Sequence, residues 1–483
     1  MKLKISILIV LSCVFLAGCR KSFLQQDPIS TIATTNAYKT VGDFTLALSG
    51  AYSSLQGGGI TTNSYVFREI TSDNSLPVAS GSVTDQDEFD RFYIRTTNPF
   101  ILSAWNDGYN AINRVNTILG RIDPVSMDQA LKARFIAESK FIRAVVYFNL
   151  VRTFGDVPLV LNEIPDPDEG YNFGRNAVVE VYAQIEKDLT EAEAVLPVSY
   201  TGANIGRASK GAAKSLLGRV LLTQKKYPQA SIKLKEVIDF GIYSLMDNYA
   251  DYFRVANKNN RESVFEIQFK SGGAGEGNPW PNAFAPQNSG NVVIAFGGDG
   301  NNQPTNDLVQ AYEANDDRKG VTLATSYVNA AGATIQGNFV KKYFDVPVAK
   351  NDNGNNIPLI RYADVLLMYA ECLNEQGYQP SGDAFRYLNL IRMRAKLPAK
   401  TAVQLPDQAS FRLAMEEERR VEFAFEGLRW YDLVRTDRAI PVMNSKRALF
   451  GIVNPLTVNN LIFPVPQSQI DINSSKIKQN PGY

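Results

Sequence analysis

Two apolar stripes run along the stretch from Leu131 to Val151. One carries Ala137, Phe141, Ala144, Val145 and Phe148; the other carries Phe135, Ile142, Val146 and Leu150. Steps of three and four place each stripe on one side of a helix, and a helix apolar on two sides is buried between neighbours. The chain is therefore expected to be mainly α, built from packed helices. Arg134 and Glu138, at i,i+4, occupy the remaining strip and can pair there. Gly155-Asp156-Val157-Pro158 predicts the end of this helix.

Two later segments repeat one another. Leu217, Gly218 and Leu221 precede a break at Lys226-Tyr227-Pro228, followed by Ala230, Leu234 and Val237. Ala370 and Leu373 precede a break from Gly377 to Gly382, followed by Ala384, Leu388 and Ile391. Small residues at matching points let antiparallel helices approach closely, as in a tetratricopeptide helix pair. Residues 209–240 and 359–395 are the two expected pairs.

The intervening stretches have another character. Residues 271–306 are rich in Gly, Asn and Pro around Trp280, Phe284 and Phe296, and Lys350 to Pro358 reads KNDNGNNIP. Long loops inside a folded chain are usually either functional or disordered. Ser263 to Phe269 (SVFEIQF) suggests a small β-hairpin beside the helices. No linker is visible, so residues 19–483 read as a single globule.

Composition limits the chemistry. The chain has 50 Lys plus Arg, 49 Asp plus Glu and no His. Balanced charge removes the general electrostatic case for nucleic acid. Without histidine there is no Ser-His-Asp or Cys-His nucleophile, no HExxH zinc site and no His general base. Asp352 to Asn356 lacks the spaced acids and terminal Glu of a calcium loop and reads as a solvated turn. The glycines from Gly272 to Gly277 do not form a nucleotide fingerprint. No cofactor or metal is expected.

The first residues read as an export signal. Lys2 and Lys4 precede an apolar run of ~12 residues, Ile5 to Leu16, too short for the ~20 that span a bilayer. It ends in Leu16-Ala17-Gly18-Cys19, a lipobox, so residues 1–18 are expected to be removed and Cys19 lipidated. Residues 19–35 would then form a tether to the membrane. With Cys19 acylated, Cys372 has no partner for a disulfide within the mature chain.

Three separated segments carry a resemblance: AESKFIRAVVYFNLVRTFGDVPLVL at Ala137 to Leu161, EEERRVEFAFEGLRWYDLVR at Glu416 to Arg435, and FPVPQSQIDINSSKIKQNPGY at Phe463 to Tyr483. With the lipobox and FLQQDP at Phe23 to Pro28, they resemble the SusD/RagB family of Bacteroidota outer-membrane lipoproteins. The resemblance implies a SusD-like fold: four tetratricopeptide-like helix pairs as a scaffold, with irregular loops bearing the ligand site. It also implies a non-enzymatic protein, lipid-anchored to the outer membrane and exposed on the cell surface. Such a protein binds oligosaccharide, or in some cases peptide, and delivers it to a SusC-like TonB-dependent transporter.

Two rival readings stay open. Glu418, Glu422 and Glu426 recur on one helical face, and paired carboxylates serve glycoside hydrolysis. A row on one helix does not flank a sugar, however, and Arg419, Arg420, Arg429 and Arg435 lie within reach for ion pairs. A tetratricopeptide-type adaptor for a protein partner is the other. Sugar binding needs flat apolar faces with amides, carboxylates and Arg around them. Trp105 and Trp430 sit in helical contexts and read as core. Trp280, in GEGNPWPNAF, is either an exposed stacking platform or a plug packed on the scaffold. The ligand candidates are Trp280, Phe284 and Phe296 in one region, and Asp73, Asn74, Arg91, Tyr93 and Arg95 in the loop-like stretch from Asp73 to Asn98.

Overall fold

A computed structural model describes residues 37–77 and 85–483. The expected signal at 1–18, lipidation at Cys19 and tether at 19–35 lie outside the described residues. Eight helices succeed one another: α1 (Val41–Ser54), α2 (Pro99–Arg121), α3 (Gln129–Phe154), α4 (Val178–Val195), α5 (Lys210–Thr223), α6 (Tyr227–Asp239), α7 (Tyr362–Gln376) and α8 (Asp383–Arg394). Each packs on the next in chain order, giving four helix pairs. Periodicity alone had identified α5/α6 and α7/α8.

Local chemistry sets the helix ends. The Asp128 carboxylate accepts from the Leu131 N–H at 2.8 Å and opens α3. Gly155, at φ +71°, closes it. Both faces of α3 are buried, from Phe135 through Phe154, as its two stripes require. At α5 and α6 the small residue is indispensable: a Cβ on Gly218 would stand 2.7 Å from Leu234 Cγ. The remaining strip of α3 differs from expectation. Glu138 pairs with Arg134 at 3.2 Å, yet its side chain is fully buried, because Tyr52 and Arg207 also converge on it.

Between α6 and α7 the chain leaves the stack. The described residues hold three two-stranded sheets. β1 (Ser75–Leu76) pairs with β3 (Gln303–Pro304), β2 (Ser263–Ile267) with β6 (Ile357–Arg361), and β4 (Leu323–Val328) with β5 (Thr334–Val340), all antiparallel. The SVFEIQF run is a strand, but not half of a hairpin. Its partner lies far along the chain, immediately before α7, so β2–β6 staples the excursion back to the stack.

The three segments that carried the family resemblance meet in one place. α9 (Gln408–Glu422) packs on α7 and α8, and α10 (Arg429–Arg435) follows it. Trp430 is wholly buried and stacks on Phe463 with ring centroids 6.3 Å apart. The Phe463 N–H donates to the Thr153 carbonyl at 2.8 Å, and Asn480 Nδ2 donates to the Phe154 and Phe463 carbonyls. The C-terminal segment thus seals the end of α3 against α10.

Candidate functional site

The structure divides the predicted ligand residues into a buried and an exposed set. Trp280 lies in a single helical turn, Trp280–Phe284, and is only 3% exposed. Its indole N–H donates to the Thr62 carbonyl at 2.7 Å, and its ring meets Phe284 and the edge of Tyr343. It is the plug and not the platform, because both the ring and its polar edge find partners inside. Phe284 is buried beside it, edge-on to Tyr65.

Asp73 and Asn74 are also withdrawn from solvent. Asp73 accepts from Arg429 at 2.7 and 2.9 Å and from Lys446 at 2.9 Å. Burial opposes its charge, but Arg429, Arg420 and Lys446 overcome that and hold the carboxyl well below the ordinary range. Asn74 Oδ1 accepts from Arg420 Nε at 2.9 Å. All four of these buried residues are corrections to the sequence reading, since each is committed to the scaffold.

Phe296, Tyr93, Arg91 and Arg95 remain at the surface, on two segments joined at their bases. The β1–β3 pairing, a Ser75 Oγ–Asn302 Oδ1 hydrogen bond of 2.6 Å and a Gln86–Asn301 amide contact tie residues 73–98 to residues 285–304. In the first segment Phe89 and Phe92 point inward, against Phe463 and Trp430 respectively. Tyr93 is left half exposed, with Arg91 and Arg95 exposed on either side. Arg95 is held by Glu88 and, at 2.9 Å, by Asp85.

Phe296 is the exceptional residue of the second segment. It adopts φ +66° and is 50% exposed. Positive φ is uncommon for any side chain and an outlier for a bulky one, at a cost of order 1–3 kcal/mol. It persists because Asn282, itself fully buried, grips both sides of it. Asn282 Nδ2 donates to the Ala295 carbonyl at 2.9 Å and to the Gly297 carbonyl at 2.8 Å. The Asn282 Oδ1 in turn accepts from Asn353 Nδ2 at 3.0 Å and from the Asn351 N–H at 3.1 Å. The buried amide thus holds the strained ring half in water.

The Asn-rich run from Asp352 to Asn356 is thus not a solvated turn. Asn353, Asn355 and Asn356 are buried, and the Asp352 carboxylate accepts from the Gly272 and Gly273 N–H groups, both at 2.9 Å. Their amides supply the backbone partners that an irregular loop otherwise lacks. Sequence reasoning missed Asn282 and Asn353 as positioning residues. The signal was the density of Asn in GNPWPN and NDNGNN, which reads equally well as loop polarity.

The acidic row of the Glu416 to Arg435 segment is an ion-pair hub with unexpected partners. Glu418 meets Arg318 at 2.6 Å and Arg392 at 2.8 Å; Glu426 meets Lys342 at 2.7 Å and Arg361 at 2.8 Å. Glu422 meets Arg361 at 2.9 Å, Arg318 at 3.1 Å and Arg394. Burial raises the Glu422 pKa, but Arg394, Arg361 and Arg318 hold it far below the ordinary value. The motif's own arginines face elsewhere: Arg419 to Asp364 and Asp432, Arg420 to Asp73 and Asp307, Arg429 to Asp73 and Glu416, Arg435 to Glu371 and Asp432. None of the three row glutamates reaches solvent to flank a sugar.

Known proteins resemble the chain throughout its length. The SusD family model matches residues 324–483, and a model described as starch-binding associating with outer membrane matches residues 23–222. The solved structure of a laminarin-binding SusD-like protein is 31% identical, with a TM-score of 0.78 over 92% of this chain and 100% of that one. A surface glycan-binding protein A from Bacteroides fluxus is 25% identical, with a TM-score of 0.80 over 92% and 100% of the two chains. Among curated relatives, a SusD-like protein of Formosa agariphila is 27% identical over 99% of both chains.

Proposed function

Because this chain belongs to the SusD/RagB family, we propose that it is a cell-surface glycan-binding protein that holds an oligosaccharide without cleaving it and passes it to a SusC-like TonB-dependent transporter. The observation that carries this reading is Phe296, strained, half exposed and clamped by buried Asn282. A fixed aromatic face offers a pyranose ring a stacking surface at little entropic cost, because the ring is ordered before the sugar arrives. Tyr93, Arg91 and Arg95, on the segment tied to the same base, supply a second ring and hydrogen-bond donors for hydroxyls. Internal pairing of Glu418, Glu422 and Glu426 supports a role in holding the scaffold and not in catalysis.

The lipobox at Cys19 supports anchorage to the outer membrane by lipid, with residues 19–35 as the tether. Laminarin is the first ligand to test, given the laminarin-binding relative. In calorimetric titration with laminarin oligosaccharides, Phe296→Ala is expected to lose about tenfold in affinity, about 1.4 kcal/mol. Its melting temperature should stay unchanged, since the ring is half in water. Full affinity in that variant would remove Phe296 from the site, and sugar release by the wild-type protein would end the non-enzymatic reading.

A further inference from the structure

Between Glu276 and Asp307 the sequence holds a single charged residue, Asp299. It lies just beyond Phe296, and its carboxylate accepts from Lys350 Nζ at 2.6 Å. The Lys350 and Asp299 side chains are 46% and 37% exposed, so the pair stands at the surface. The Asn282, Ser75 and Gln86 ties of the same segment are all neutral. Lys350 is thus its electrostatic hold.

The pair closes a ring of contacts around the base of Phe296. The Asp299 N–H donates to the Asn282 carbonyl at 2.9 Å, and Asn282 Oδ1 accepts from the Asn351 N–H at 3.1 Å. Asn351 follows Lys350 in the chain, and Lys350 returns to Asp299. Phe296 hangs from this ring through the Asn282 amide, which holds the carbonyls of Ala295 and Gly297. Opening the ion pair would free Asp299 between Gly298 and Gly300, close to two glycines at positive φ, Gly297 at +78° and Gly300 at +73°. Glycine has the most conformational freedom to regain, so the loss would fall on the ordering of this segment.

Magnitude decides where such a loss is seen. An exposed ion pair shifts an equilibrium by at most about fivefold. Global stability barely registers that. Apparent affinity scales with the fraction of molecules that hold the binding conformation, so an affinity resting on an ordered Phe296 registers it directly.

We propose that Lys350 and Asp299 are positioning residues for the Phe296 surface, a latch that acts through Asn282 and not on the sugar. The ligand class rests on the glycan-binding reading, whereas the latch can be read without ligand. One consequence is that affinity for an uncharged sugar falls with salt, because screening weakens the latch. The test compares the full chain with Lys350→Met and with the exchanged pair, Lys350→Asp together with Asp299→Lys. Hydrogen exchange without ligand, read by mass spectrometry, should show peptides covering 285–302 opening severalfold faster in Lys350→Met. Wild-type opening should be faster in about 1 M salt than in about 0.01 M, and the variant should not respond. In calorimetric titration with uncharged laminarin oligosaccharides, Lys350→Met should lose about two- to fivefold in affinity, with its melting temperature unchanged. The exchanged pair should recover that loss. Equal exchange at 285–302 in Lys350→Met and wild type would overturn the latch, whatever the sugar does. A loss of affinity that the exchanged pair does not restore would make Lys350 a direct sugar contact, overturning the latch and leaving the proposed function standing. Wild-type protein that binds no sugar of a neutral panel would end the glycan reading, and exchange at 285–302 would then decide the latch alone.

Discussion

Glu69 offers the most direct test of the physical account. It lies in a π-helical turn, Val66–Ile70, with no exposed surface and, among the described residues, no cation bonded to it. Its carboxyl accepts from the Gly427 N–H at 2.7 Å and more weakly from Asn74 Nδ2 at 3.4 Å. Burial dominates and pushes its pKa up to about 7 from an ordinary 4.5, against the opposing pull of those donors. Below about pH 4.5 both folded and unfolded chains hold the proton, and the fold has its full stability. As pH rises toward 7 the unfolded chain releases the proton while the folded one keeps it, so stability falls; above 7 both are ionised and the loss is complete. At about 1.4 kcal/mol per pH unit, that interval is worth about 3 kcal/mol. Glu69→Gln keeps the shape and an acceptor for Gly427 but carries no charge to desolvate. Urea unfolding of both proteins from pH 4 to 8.5 isolates the effect, because other titrating groups cancel in the difference. The variant should gain on the wild type progressively across that range and lead by about 3 kcal/mol above pH 7. Parallel curves, or a variant less stable at pH 8, would refute the reasoning.

The other predictions concern side chains whose partners only the tertiary structure reveals. Trp280→Ala should cost about 3–5 kcal/mol in chemical unfolding, as a buried aromatic truncation does, while the folded fraction keeps its glycan affinity. Glu422→Gln leaves Arg361, Arg394 and Arg318 short of a buried counter-charge and should cost about 3–5 kcal/mol by the same measurement. Asn282→Leu removes the grip on Ala295 and Gly297, and titration should show glycan affinity falling about as far as in Phe296→Ala although the ring is still present.

How much of this was legible in sequence depended on whether the deciding contact was local. α3 shows itself because burial on both faces repeats at helical spacing within one segment, and Gly155 ends it by a backbone preference of its own. Gly218 could be read as a packing residue because Leu234 stands at the matching point of the next helix. Residues whose partners lie far along the chain were harder to place. The row Glu418, Glu422 and Glu426 was recognisable as an ion-pair network, yet its partners are Arg318, Lys342, Arg361, Arg392 and Arg394, which no spacing within the motif reveals. The strand at Ser263–Ile267 was visible; its pairing with Ile357–Arg361 was not.

Periodicity was enough for two of the four helix pairs, and composition for the exclusion of histidine chemistry; the four-pair scaffold followed from the family resemblance, and the Gly- and Asn-rich runs stood out as loops. None of these could settle which ring in those loops faces water. Trp280 goes inside because Thr62 supplies a carbonyl for its indole, and Phe296 stays outside because Asn282 holds its backbone in a conformation that turns it away from the core. Periodic burial is written into a segment's own residues, whereas the exposure of a loop side chain is set by atoms that only folding brings beside it.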